Sequence, residues 1–153
     1  MKKLAFLTVI VMMASLTFAQ KVEHKDVPSA VKTAFQSKYP SVPNNIVKWD
    51  KEGKHYKAVF ENNGVHHVLV LDDSGKMIRM RERLKEEDLP KKAKEHVEKN
   101  HPGEKIREIE KITDKDGMIN YAVRIKEKIY YFDKDGNFVK EKIKDKEKDK
   151  TTK

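Results

Sequence analysis

The sequence predicts an α+β fold made of two tandem repeats, each a helix followed by antiparallel strands, with the helices on one face of a sheet. Three observations support this prediction. Several residues recur at a spacing near 62 along the chain. Each copy opens with apolar residues at helical spacing, and it continues with short β-type segments separated by Gly- and Asn-containing turns. The chain also has no cysteine, so an apolar core rather than disulfides has to stabilise it.

The first 19 residues read as a signal peptide. Lys2 and Lys3 precede an uncharged, largely apolar run over 4–15, and Ala19 supplies the small residue before a cleavage site. The run is shorter than the roughly 20 residues that a spanning helix needs, so we expect cleavage near Ala19 rather than an anchor. No cysteine is available to carry a lipid. We therefore expect a soluble periplasmic or secreted product.

Repeat 1 is assigned to residues 20–84 and opens with a helix. Pro28 suits the first helical turn, and Pro40 ends the helix because it disfavours the α conformation of Tyr39. Five apolar residues at i, i+3, i+4, i+7 and i+8 share one helical face: Val27, Ala30, Val31, Ala34 and Phe35.

Four segments of repeat 1 have strand composition, and Gly or Asn in the turns between them supplies positive φ. The predicted strands are 45–50, 55–61, 65–72 and 76–84.

Repeat 2 is assigned to residues 85–143. Leu89, Ala93 and Val97 form the helical stripe, which is narrower because Lys92 and His96 stand where repeat 1 has alanines. The predicted strands are 105–113, 119–126, 128–133 and 137–143. Beyond them, residues 144–153 contain no apolar side chain, and we expect a disordered charged tail.

The candidate chemistry is sparse, and we predict no catalytic residue, no metal site and no cofactor. Asp133-Lys134-Asp135-Gly136 starts like a calcium loop but lacks the remaining ligands, so a hairpin turn explains it better. His66 and His67 are adjacent on a strand and point to opposite faces, so they cannot chelate one ion together. One of them could meet His55 or pack on Phe60.

The net charge of +9 raises the possibility of nucleic-acid binding, but lysines alternate with acidic residues, as on a solvated surface. We expect no nucleic-acid partner.

Aromatic residues on strands are the remaining candidates for binding. A sheet covered by helices on one face leaves the other face to water or to a partner. We predict binding roles on that open face for four residues that are suited to interface anchoring: Trp49, Tyr56, Tyr121 and Tyr131.

The order of these motifs resembles the PepSY-like, β-lactamase-inhibitor-like family of periplasmic proteins. In repeat 1 the resemblance rests on Asp26-Val27-Pro28, Lys38-Tyr39-Pro40, Val47-Lys48-Trp49 and Leu71-Asp72-Asp73-Ser74-Gly75. The corresponding segments of repeat 2 are Leu89-Pro90, His101-Pro102, Tyr121-Ala122-Val123 and Phe132-Asp133-Lys134-Asp135-Gly136. The resemblance implies that the two sheets join into one curved sheet, and that a partner enzyme is gripped by the open face.

The leading hypothesis is therefore an exported, non-enzymatic and monomeric binding module that inhibits or modulates a protein of the cell envelope. The alternative is an envelope protein that binds a metal ion or a small ligand, suggested by six histidines and many acidic residues.

Overall fold

A computed structural model describes residues 20–143, and both the predicted signal peptide and the predicted tail lie outside this range. The described chain forms two helices, α1 (Ser29–Lys38) and α2 (Lys91–Asn100). Its nine strands are β1 (Gln20–Val22), β2 (Lys48–Glu52), β3 (His55–Asn62), β4 (Val65–Leu71), β5 (Met77–Arg83), β6 (Ile106–Asp114), β7 (Ile119–Ile125), β8 (Lys128–Asp133) and β9 (Phe138–Ile143). Neither helix within 20–143 is long and apolar enough to cross a membrane.

All nine strands lie in one antiparallel sheet in chain order, β1 to β9. The two repeats meet at the β5–β6 ladder, where Arg79 lies opposite Asp114 and Arg83 opposite Glu110. The sequence-based prediction of an α+β fold with tandem repeats is confirmed, and the strands of both repeats form a single continuous sheet.

Both helices cover the same face of the sheet. A row of directly opposed residues crosses β3 to β6: Ala58, Leu69, Met80 and Thr113. Alternation along β6 then places Ile109 on this face, opposite Val123 of β7. Helix α1 packs on the first part of this face and α2 on the second, so we call it the helix side.

The core under α1 has the larger side chains. Phe35 of α1 lies 5.5 Å from the Trp49 ring and 4.9 Å from the Phe60 ring, both edge to face. At the equivalent positions of α2, Ala93 replaces Val31 and Val97 replaces Phe35. The second core therefore buries less apolar surface from its helix.

The element boundaries differ from the predicted ones at two kinds of position. Each helix begins directly after its proline rather than including it, because Pro28 and Pro90 have ψ angles near the extended region, 144° and 141°. The predicted strand over 45–50 starts at Lys48, since Asn44–Ile46 forms a 3₁₀ turn after Pro43. Strand β1 has no sequence signal of its own.

Three turns share one hydrogen-bonding pattern. The Oδ1 atom of Asp72, Asp114 or Asp133 accepts backbone N–H groups two and four residues ahead at 2.9 to 3.0 Å. These carboxylates are therefore engaged by their own backbone, which stabilises tight turns between strands. The interpretation of the Asp-Gly segments as hairpin turns is confirmed.

Candidate functional site

The face of the sheet opposite the helices, which we call the open face, has no helix over it within residues 20–143. Alternation along β5 places Arg79, Arg81 and Arg83 on this face, since Met80 and Glu82 point to the helix side. Val68 and Val70 of β4 also lie on the open face, yet each is only 5% exposed. Long side chains on neighbouring strands shield them, so the open face has an apolar floor beneath charged groups.

A network of arginines and glutamates crosses the junction of the two repeats. Arg81 Nη1 lies 3.4 Å from Glu110 Oε2, and Glu108 pairs with both Arg83 and Arg124, with Arg124 Nη2 at 2.8 Å from its Oε2. The Glu108 and Arg124 side chains are less than a quarter exposed. This shielding from solvent strengthens the pairs relative to isolated surface pairs.

Arg79 is the exception in this row. It is exposed, and it forms no ion pair with any residue in the part of the chain that the structure describes. Its cross-strand neighbour Asp114 already accepts two backbone hydrogen bonds. The Arg79 guanidinium therefore remains available to a partner.

The four aromatic residues assigned to the open face lie in different places. Trp49 and Tyr56 are 4% and 7% exposed and belong to the core beneath α1, and Tyr121 packs against the core beneath α2. The prediction that these three residues lie on the open face is wrong. The strand register places Trp49 opposite Ala58 and Tyr121 opposite Phe132, and both of these partners point to the helix side.

Tyr131 does lie on the open face. It is partly exposed and stands opposite Ala122 on β7 and Lys140 on β9. Lys140 Nζ is 5.6 Å from the ring centroid, within cation–π distance. Among the four candidates, this ring is the one that a molecule docked on the open face would meet.

A cleft of about 350 Å³ opens on the helix side near the junction of the repeats. Residues from the β3–β4 hairpin, from β5 and the segment after it, and from β6 line it, among them Asn62, Val65, His67, Glu82, Leu84 and Lys111. We call it the inter-repeat cleft. It combines an apolar wall with titratable groups of both signs, including His67, Glu82, Asp88, Lys85 and Lys111.

His67 is the most buried of these groups. Its ring stacks on Phe60 at 5.3 Å, and its Nδ1 atom lies 3.9 Å from Glu82 Oε1. Burial lowers the pKa of His67, and the nearby Glu82 carboxylate only partly opposes this. His66, by contrast, stands opposite Glu61 on the open face. The expectation that the two histidines point to opposite faces is confirmed, and His67 is the one that packs on Phe60.

Glu82 connects the other polar groups of the cleft. Lys111 Nζ lies 3.1 Å from Glu82 Oε2. Glu82 also acts on Tyr39, since burial together with the negative charge of Glu82 raises the pKa of Tyr39 to about 12. The Tyr39 hydroxyl donates a hydrogen bond to Met80 Sδ. The phenol therefore stays neutral, and the cleft can offer hydrogen bonds and charge to a ligand.

Within residues 20–143, no three or more His, Asp or Glu side chains are grouped so that they could hold a metal ion.

Sequence reasoning missed the arginine row and the Glu82–Lys111 pair. A period-two reading of Met80-Arg81-Glu82-Arg83 would have separated the arginines from Glu82. The pairing of Glu82 with Lys111 depends on the β5–β6 register between the repeats, which no local pattern indicates.

Several solved structures share this fold at low sequence identity. A structure described as "putative periplasmic proteins" from Bacteroides eggerthii superposes with a TM-score of 0.69 at 13% identity, covering 76% of this chain and 88% of that one. A BLIP-like protein from Bacteroides fragilis gives a TM-score of 0.63 at 18% identity, covering 76% and 86%. No curated protein matches the sequence of this chain at a significant level.

Two segments of the sequence match one family description, "putative beta-lactamase-inhibitor-like, PepSY-like". The matches span residues 16–79 and 72–140, so the first contains α1 with β1 to β4 and the second contains α2 with β5 to β8. Together they extend over most of the chain and reproduce the tandem organisation seen in the sheet. The chain therefore belongs to the β-lactamase-inhibitor-like, PepSY-like family.

Proposed function

We propose that this protein is an exported, non-enzymatic binding module that docks a protein of the cell envelope on its open face. The observation that carries the proposal is the make-up of that face, where an apolar floor lies beneath arginines and a tyrosine. Arginine and tyrosine are enriched at protein interfaces and often dominate the binding energy. Arg79 and Tyr131 are the proposed anchors, and carboxylates of the partner would pair with Arg79.

The descriptions of two structural relatives support a role in the cell envelope. The Bacteroides fragilis structure is described as BLIP-like and the Bacteroides eggerthii structure as periplasmic. Inhibition or modulation of an envelope enzyme is the form of binding that these descriptions favour. The chain would act as a single exported unit. It would consist of a signal peptide over 1–19, repeats over 20–84 and 85–143, and a charged tail after them.

Recovery of a cross-linked partner from envelope extract tests the proposal. We expect Arg79→Glu and Tyr131→Ala each to reduce recovery by about tenfold, the effect of losing one anchor residue. Lys91→Glu is the matched control, because Lys91 lies on α2 with a side chain that is 90% exposed. Equal recovery with all three variants would rule out the open face as the docking surface.

A further inference from the structure

We propose that the inter-repeat cleft binds a small zwitterion, namely an α-amino acid with an apolar side chain. This site is on the opposite side of the sheet from the proposed docking surface, and the inference does not depend on that surface. It follows from two acceptor groups, the Lys111 ammonium group and an apolar wall that line the same cleft.

The acceptor groups are suited to an α-ammonium group. The His67 residue is 6% exposed, and its Nδ1 atom has no hydrogen-bond partner within the described chain. Glu82 Oε1 lies 3.9 Å away. One ammonium nitrogen can stand about 2.9 Å from both atoms, which is an ordinary hydrogen-bond distance. A ligand donor there would satisfy a buried acceptor that otherwise costs free energy.

The ammonium group of Lys111 is suited to the carboxylate of the same ligand. Lys111 lines the cleft, and so does Lys85, whose exposed ammonium group lies 3.5 Å from Glu87 Oε1. Lys111 Nζ is within ion-pair distance of Glu82 Oε2, but it is not aligned for a hydrogen bond, since this oxygen has no hydrogen-bond partner. A zwitterion matches both signs at once, whereas a divalent cation would face the Lys111 charge with only two protein ligands.

The apolar wall of the cleft is the reason that we expect a ligand with an apolar side chain. Val65 and Leu84 line the cleft beside the polar groups. A volume of about 350 Å³ lies at the small end of ligand pockets, which suits a single amino acid better than a long peptide.

Titration of the nitrogen-labelled full chain with L-leucine, followed through the backbone amide resonances of residues 62–67 and 82–85, tests the proposal. We expect saturable shifts at millimolar concentration. N-acetyl-L-leucine lacks the ammonium and L-leucinamide lacks the carboxylate, so each should bind at least about tenfold more weakly. The absence of shifts up to about 10 mM leucine, or equal binding of all three compounds, would overturn it.

Variants locate the site. His67→Phe keeps the stack on Phe60 but removes the acceptor, and Glu82→Gln removes the charge. We expect both to weaken leucine binding by at least about tenfold. Glu110→Gln, on the open face of the neighbouring strand, should leave it unchanged. Should His67→Phe not fold, Glu82→Gln decides alone, and undiminished binding there contradicts the proposal. Tyr131→Ala affects only envelope-protein docking, so the two proposals can fail separately.

Discussion

Gly75 and Gly136 occupy equivalent positions in the two repeats, each in a turn that touches the helix of its own repeat. A Cβ atom built on Gly75 would lie 2.7 Å from the carbonyl oxygen of Ala30 and 2.9 Å from Ala34 Cβ. On Gly136 it would lie 2.8 Å from Pro90 Cβ. Glycine is required at these turns for close approach as well as for positive φ.

Gly75→Ala should therefore lower the free energy of unfolding by roughly 2 to 5 kcal/mol, combining the cost of positive φ with displacement of backbone. Gly117→Ala is the control, because Gly117 has nearly the same φ, 81° against 86°, and no atom within 4 Å of the built Cβ. We expect it to cost about 1 to 2 kcal/mol. Urea unfolding followed by circular dichroism measures both, and equal losses would show that the contact with α1 is unimportant.

His67 should make stability depend on pH. Its pKa in the folded chain is lowered from 6.5, chiefly by burial, so the unfolded chain binds a proton more readily. This contribution is fully present above pH 6.5 and is lost as the pH falls toward the folded pKa. We expect the free energy of unfolding to fall less steeply between pH values of about 7 and 5 in His67→Phe than in the native chain.

Urea unfolding at several pH values measures that slope. His96, whose pKa burial also lowers, is present in both proteins, so their difference reports His67 alone. Parallel pH profiles of the two proteins would show that the pKa of the His67 imidazole is the same in the folded and the unfolded chain.

At the scale of the element, the β9 edge is notable because all six of its residues are exposed. Three of them are large apolar residues, Phe138 at 44%, Val139 at 53% and Ile143 at 74%. An exposed edge of this kind invites pairing with a second copy. Antiparallel self-pairing about a two-fold axis at Lys140, Glu141 or Lys142 would, however, place two lysines opposite each other. Like charges in such positions oppose association, and we expect a monomer.

Removing these charges should allow the β9 edges of two copies to pair. The double variant Lys140→Thr and Lys142→Thr is expected to self-associate at least about tenfold more strongly than the native chain, as measured by sedimentation velocity. A double variant on α2, Lys91→Thr with Lys99→Thr, makes the same change in net charge away from any edge. If both double variants sediment like the native chain, the lysines do not protect β9.

For the whole molecule, sequence patterns predicted the helices and most strands, but not which face each side chain occupies. Strand β4 illustrates the reason: Val68, Leu69 and Val70 are all buried, so its two faces look alike in sequence. The adjacent rings of Tyr130 and Tyr131 had to point in opposite directions, but only the packing of α2 decides which one is covered. Strand β1 was not predictable because it forms only by pairing with β2.

The candidate site was less predictable than the fold. Tyr131 was assigned to the open face and lies there, whereas Trp49, Tyr56 and Tyr121 do not. The inter-repeat cleft depends on the alignment of β4, β5 and β6, and β5 and β6 belong to different repeats. Local periodicity carries no information about that alignment.

The chain-order sheet has a consequence for folding kinetics. Every strand pairs only with the strands that precede and follow it, so most backbone ladders close short loops, and only the β1–β2 and β5–β6 ladders span a helix. Low sequence separation between contacting residues favours rapid folding. All the residues of the core beneath α1 precede α2 in the chain. A chain that becomes available from its N-terminus can therefore close this core before the second half has arrived.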